Sequence, residues 1–116
     1  MRPNQLPRIM IIKSRRRVLE LLRQGVKKNG QLLTLYLTKR AKGQARFSFL
    51  VDRDIREATE RNRLKRITRE IVRVNKGLLN HCETIILVKE AAVAKTFWQV
   101  REDFLGLATG KVTRNQ

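Results

Sequence analysis

Between Arg61 and Lys76 the chain carries seven Lys or Arg residues and a single acid, Glu70. Guanidinium forks at that density suit phosphate oxygens, so the chemistry this stretch offers is anion binding. Helical stepping places Leu64, Ile67, Ile71, Val74 and Leu78 on one stripe and Asn62, Lys65, Arg66, Arg69, Arg73 and Lys76 opposite. Arg61 and Arg63 fall on the two flanks, where a long side chain can reach solvent while its stem packs. A merely solvated helix interleaves both signs in i,i+4 pairs, whereas this face has one sign.

Residues able to make or break bonds are scarce. His81 is the one histidine and Cys82 the one cysteine, so neither a zinc set nor a Cys/His pair can be completed. They read as a loop histidine and a small apolar residue at a strand start. No glycine-rich phosphate loop is present. Asp52, Asp54 and Glu57 form the only carboxylate cluster, which could hold a divalent ion as a nuclease does; equally, Asp54 and Glu57 have capping-box spacing. On composition, a binding module is favoured over an enzyme.

The wider composition agrees. With 27 Lys plus Arg against 10 Asp plus Glu, the net charge is +17, which speaks to partners and not to fold. A polyanion is the natural partner, and nucleic acid is expected over membrane because no segment is long and apolar enough to span one. At 116 residues the chain makes one domain with one core. Cys82 cannot form an internal disulfide, which fits a reducing cytosol.

The elements that must position the basic face follow from periodicity. Residues 1–13 read as an extended basic arm, with Pro3 and Pro7 opposing a helix, and residues 14–116 as a single nucleic-acid-binding domain. Ser14 is a candidate N-cap for a helix over Arg15–Gln24 that Gly25 ends. The Arg15-Arg16-Arg17 triplet in its first turn is either solvated or an anion contact. Gln31–Lys39 alternates, with Leu33, Leu35 and Leu37 on one face and Thr34, Tyr36 and Thr38 on the other. Ala45–Val51 alternates again, and the two strands read as a hairpin; Asn29-Gly30 marks a turn to a short earlier strand over Val26–Lys28. Asp52–Glu60 leads into the basic helix, and Gly77 is a candidate stop. Thr84–Val88 is a short apolar strand, and Thr96 with Gln99 is a second capping box before a last helix using Val100, Phe104 and Leu107.

Arg61-Asn62-Arg63-Leu64-Lys65-Arg66, followed by Arg69-Glu70, resembles the Arg-Asn-Arg signature of the bacterial ribonuclease P protein subunit. The similarity is ungapped from Arg46 to Arg73 and weaker over nearly all the rest, including Gly25 and Leu35-Tyr36. It implies an α/β (α+β) two-layer sandwich in the order α-β-β-β-α-β-α, like a ribosomal-protein domain, with a left-handed βαβ crossover carrying the signature. The implied function is binding of the catalytic RNA of ribonuclease P and of the 5′ leader of precursor tRNA. The RNA then performs the hydrolysis with Mg2+, the protein holding no cofactor and needing no membrane or obligate protein partner.

Residue by residue, the resemblance puts RNA binding on Arg61, Asn62, Arg63, Lys65, Arg66, Arg69 and Arg73, and leader binding on Val18, Leu22, Tyr36 and Leu50. Tyr36 is either a stacking ring or a partly buried structural tyrosine. Two departures stand out: Val18 and Leu22 replace the family's usual aromatics, and Leu50-Val51-Asp52-Arg53-Asp54 replaces Ser-Val-Ser-Lys-Lys, setting two acids near a path for phosphates. A structural RNA-binding protein of the ribosome, equally small and basic, is the alternative.

Overall fold

The computed structural model describes residues 6–110. Its elements run α1 (Arg15–Gln24), β1 (Val26–Asn29), β2 (Leu33–Lys39), β3 (Arg46–Val51), α2 (Ala58–Asn75), β4 (Cys82–Val88) and α3 (Phe97–Thr109), with 3-10 turns at Arg8–Met10, Lys76–Leu79 and Glu90–Ala92. This is the expected order. Local signals mark several boundaries: Ser14 Oγ accepts from Arg17 N at 3.1 Å, and Gly25 follows the last turn of α1. In α3, Thr96 and Gln99 form a reciprocal capping box, and Val100, Phe104 and Leu107 are its buried residues. The expected arm is only partly described, from Leu6; Arg2 and Pro3 lie outside the described residues.

The four strands form one sheet in the order β1-β2-β4-β3. The hairpin expected between β2 and β3 does not exist, because β4 lies between them, antiparallel to β2 and parallel to β3. Alternation shows that a strand is half-buried and is silent about its neighbour. β4 is buried at every position but Leu87, so the centre of the sheet is where its apolar run is best covered. The real hairpin joins β1 and β2 around Asn29-Gly30, with Gly30 N donating to Leu33 O at 2.8 Å. Asp103 of α3 braces it, accepting from the backbone N of Leu32 and Leu33 at 3.0 and 2.9 Å. A Cβ on Gly30 would stand 2.6 Å from Asp103 Oδ2, so glycine is required for that approach. β3, α2 and β4 make a parallel βαβ unit.

Helix α2 corrects two further expectations. Its buried residues are Leu64, Thr68, Ile71 and Val72, while Val74 and Leu78 are exposed. The stripe is rotated from the expected one because Thr68 counts as apolar here: its hydroxyl donates to Leu64 O at 2.9 Å within the helix. Second, no box forms between Asp54 and Glu57; Glu57 is the N-cap residue without a side-chain bond, and Asp52 Oδ1 accepts from Asp54 N in a turn ahead of the helix. Gly77 falls inside the 3-10 turn that follows Asn75.

The main core packs α2 and α3 on one sheet face, around Leu35, Phe47, Ile86, Val88, Leu64, Ile71 and Phe104. On the other face α1 covers a smaller cluster of Ile12, Leu21 and Ile85. Glu83 of β4, 4 % exposed, holds α1 in place by accepting from Arg17 Nε at 3.1 Å and Nη2 at 2.5 Å.

Candidate nucleic-acid interface

The cations of α2 divide by what their head groups touch. Arg61 Nη1 donates to the carbonyls of Asp52 at 3.0 Å and Ile55 at 2.8 Å, closing the loop that precedes the helix. Arg63 makes a bidentate pair with Glu60, both bonds 2.8 Å, and reaches Lys95 O at 3.0 Å. Glu60 also accepts from Ala94 N at 2.7 Å, holding Ala94 at a φ of 66°. The Arg63 hydrogen bonds, followed by that of Ala94, pull the Glu60 carboxyl down to about 2. Arg73 pairs with Glu70 at 3.0 and 2.7 Å, which lowers the Glu70 pKa and raises that of Arg73.

Four residues of the expected set remain uncommitted. Among the described residues, the side chains of Asn62, Lys65, Arg66 and Arg69 donate to no protein group, and the Arg69 guanidinium lies 5.7 Å from the centre of the Phe49 ring. These four line a cavity of about 810 Å³ whose other walls are Arg8, Leu6, Ile11, Ile67, Phe97 and Glu70, the last with its carboxylate closed on Arg73. A cationic rim over apolar walls accepts phosphate oxygens together with a less polar group. The contributions of Arg8, Ile11 and Phe97 were not visible as site residues in the sequence, because each reaches α2 from a distant segment.

The second expected surface is assembled as well. Val18 and Leu22 of α1, Tyr36 of β2 and Leu50 of β3 pack partly buried around Ile12, Leu21 and Ile85. Tyr36 and Ile85 are cross-strand partners, and the Lys27 ammonium, opposite Tyr36 on β1, stands 5.9 Å from its ring centre. Lys27 escaped the sequence reading, since only strand register brings it there. The two surfaces meet at the edge of β3, where Ile12 N donates to Phe47 O at 2.7 Å: Ile11 lines the α2 cavity and Ile12 the α1 cluster.

A family model described as Ribonuclease P matches residues 6–110. The chain belongs to the ribonuclease P protein family. The ribonuclease P protein component of Thermotoga maritima is 30 % identical over 101 residues, covering 83 % of this chain and 86 % of that one. That of Syntrophomonas wolfei is 29 % identical over 97 residues, covering 83 % and 82 %. A solved Thermotoga maritima ribonuclease P protein superposes with a TM-score of 0.77 at 28 % identity, covering 85 % of this chain and 94 % of that one. The Staphylococcus aureus protein, at 19 % identity and a TM-score of 0.79 over 91 % of this chain and 98 % of that one, shares the fold.

Membership places the chain in tRNA processing as a ribonuclease P protein component, a partner of ribonuclease P RNA, and takes the place of the ribosomal alternative. Among the described residues no group of three or more His, Cys, Asp or Glu side chains converges as a metal site. Asp52 Oδ1 accepts from the Asp54 N–H within their own loop. No helix of the described residues is long and apolar enough to cross a membrane.

Proposed function

We propose that this protein assists 5′ maturation of tRNA by holding two RNAs at once. The catalytic RNA lies on Asn62, Lys65, Arg66 and Arg69 with Arg8, and the 5′ leader of precursor tRNA lies along Val18, Leu22, Tyr36 and Leu50. Hydrolysis and its Mg2+ belong to the RNA. The observation that carries this reading is the grouping of Asn62, Lys65, Arg66 and Arg69 around one cavity on α2, their side chains donating to no group among the described residues, on a chain of net charge +17. Arg61, Arg63 and Arg73 support the interface from behind by fixing the loop and helix that present it.

In the leader cleft, Tyr36 supplies the ring on which a base can stack and Lys27 the charge for an adjacent phosphate. Val18 and Leu22 offer apolar contact without stacking. The test is reconstitution. Purified protein alone should leave precursor tRNA intact, and adding it to a cognate ribonuclease P RNA should raise cleavage at the mature 5′ end. Cleavage by the RNA-free protein, lost on Asp54→Ala, would overturn the proposal.

A further inference from the structure

Trp98, the only tryptophan of the chain, stands 68 % exposed in the first turn of α3. A ring of that size normally contributes more when buried, and this one is nevertheless held in an ordered setting. Phe97 meets it edge-on, with centroids 5.0 Å apart and planes at 82°. Arg101, one turn along the helix, sets its guanidinium 5.8 Å from the indole centre. The capping box of Thr96 and Gln99 fixes the helix start that carries the rings, and the bond from Arg63 to Lys95 O ties that start to α2. Phe97 itself lines the cavity beneath the basic face. Phe97 thus links the exposed indole, which it touches, to the cavity that the uncommitted cations line.

We infer that Trp98 and Arg101 form a stacking platform for one unpaired nucleobase of the RNA that runs along α2. This rests on the RNA-binding reading of that helix. Any base presents a π-face to an indole, and the guanidinium beside the ring is placed for the flanking phosphate. Of the two nearby acids, Asp103 has its carboxylate engaged by the backbone of the β1–β2 turn, and Glu102, exposed one turn from Trp98, leaves the Arg101 guanidinium as the charge against the ring. A second copy of the chain is a poor occupant, since two molecules of charge +17 repel.

Because Trp98 is the only indole, its fluorescence reports the site directly. A short single-stranded RNA should quench it, whereas inorganic polyphosphate, which has the charge and no bases, should not. Trp98→Ala should weaken RNA binding about 5- to 150-fold, with the salt slope unchanged because no charge is lost, and Trp98→Phe should restore most of the affinity. Titrating the catalytic RNA, a precursor tRNA with a long leader and one without a leader identifies which RNA supplies the base. Equal quenching by polyphosphate, or wild-type affinity in Trp98→Ala, overturns the platform. If Arg66→Gln still weakens binding in that case, the basic-face reading survives; if Arg66→Gln is also silent, that reading fails with it.

Discussion

Arg61, Arg63 and Arg73 differ from Arg66 and Arg69 in nothing that composition records, yet the first three are engaged with loop carbonyls and with Glu60 and Glu70, and the other two meet solvent. The same division recurs on α1, where Arg17 is bound to Glu20 and the buried Glu83 while its neighbours Arg15 and Arg16 are exposed. A cation whose hydrogen bonds are filled within the protein has little left for a phosphate. The interface of this basic protein is thus set by the groups that engage part of its charge: Glu20 and Glu83 hold Arg17, Glu60 holds Arg63, Glu70 holds Arg73, and the carbonyls of the β3–α2 loop hold Arg61.

The largest expected effect tests that division on α1. Arg17→Ala strips the nearly buried Glu83 of its close partner and leaves Arg46 Nη1 at 3.9 Å. A loss of about 2 to 3 kcal/mol of folding stability is expected, at or below the lower limit for a fully buried pair because Arg17 is partly solvated. Arg16→Ala should stay within about 0.5 kcal/mol. Urea unfolding of the two variants checks this, and equal midpoints would erase the distinction.

On α2 the contrast should appear in two different measurements. Arg61→Ala leaves the carbonyls of Asp52 and Ile55 short of a charged donor and should lower stability by about 2 kcal/mol. Arg66→Ala should leave the melting curve in place, weaken binding of the catalytic RNA by about tenfold, and reduce the salt slope by about one. Arg63→Ala is expected to behave as Arg61→Ala does, since its fork is closed on Glu60 and Lys95 O. A normal melt for Arg63→Ala combined with a reduced salt slope would move it to the RNA-facing set.

How much of this was legible in the sequence depended on how local each cause is. The Ser14 cap, the Asn29-Gly30 turn and the Thr96-Gln99 box act within four residues, and each stood where the sequence indicated. The pairing of β2 with β4 in place of β3 is decided by a strand more than forty residues further on, which no window over 31–51 contains. The burial of Thr68 in place of Val74 depends on a hydroxyl satisfied inside its own helix. For the interface, charge periodicity picked out the helix face that carries the uncommitted cations; it could not separate out Arg61 and Arg63, because the β3–α2 loop and Lys95 complete their hydrogen bonds.

A smaller effect is expected from acid. Glu60 titrates at about 2 in the folded protein, below its ordinary value of 4.5. Its folded pKa is depressed, so the stability it contributes is present above 4.5 and is lost as pH falls toward 2. Glu60→Gln should remove that part of the acid-induced loss and flatten the stability profile over this window. A variant whose profile matches the parent's there would show that the Glu60, Arg63 and Ala94 cluster contributes nothing on folding.

The smallest expected effect lies at Asp54, on the loop between the two proposed RNA surfaces. Its side chain is exposed and caps no helix, the turn bond at this point being donated by its backbone N–H to Asp52. Charge reversal therefore leaves the fold untouched and changes only the local field. Two unit charges about 8 Å apart at surface dielectric interact by about 2 kcal/mol before screening, and physiological salt removes most of that. Asp54→Lys should tighten the holoenzyme's hold on a precursor with a long leader by a few-fold at most, leave a one-nucleotide leader unaffected, and lose the gain as salt rises. Equal tightening of both precursors would place Asp54 beside the catalytic RNA instead. In that case the family's lysines at this loop serve the same surface as Arg66 and Arg69, and the cleft under α1 depends for its charge on Lys27.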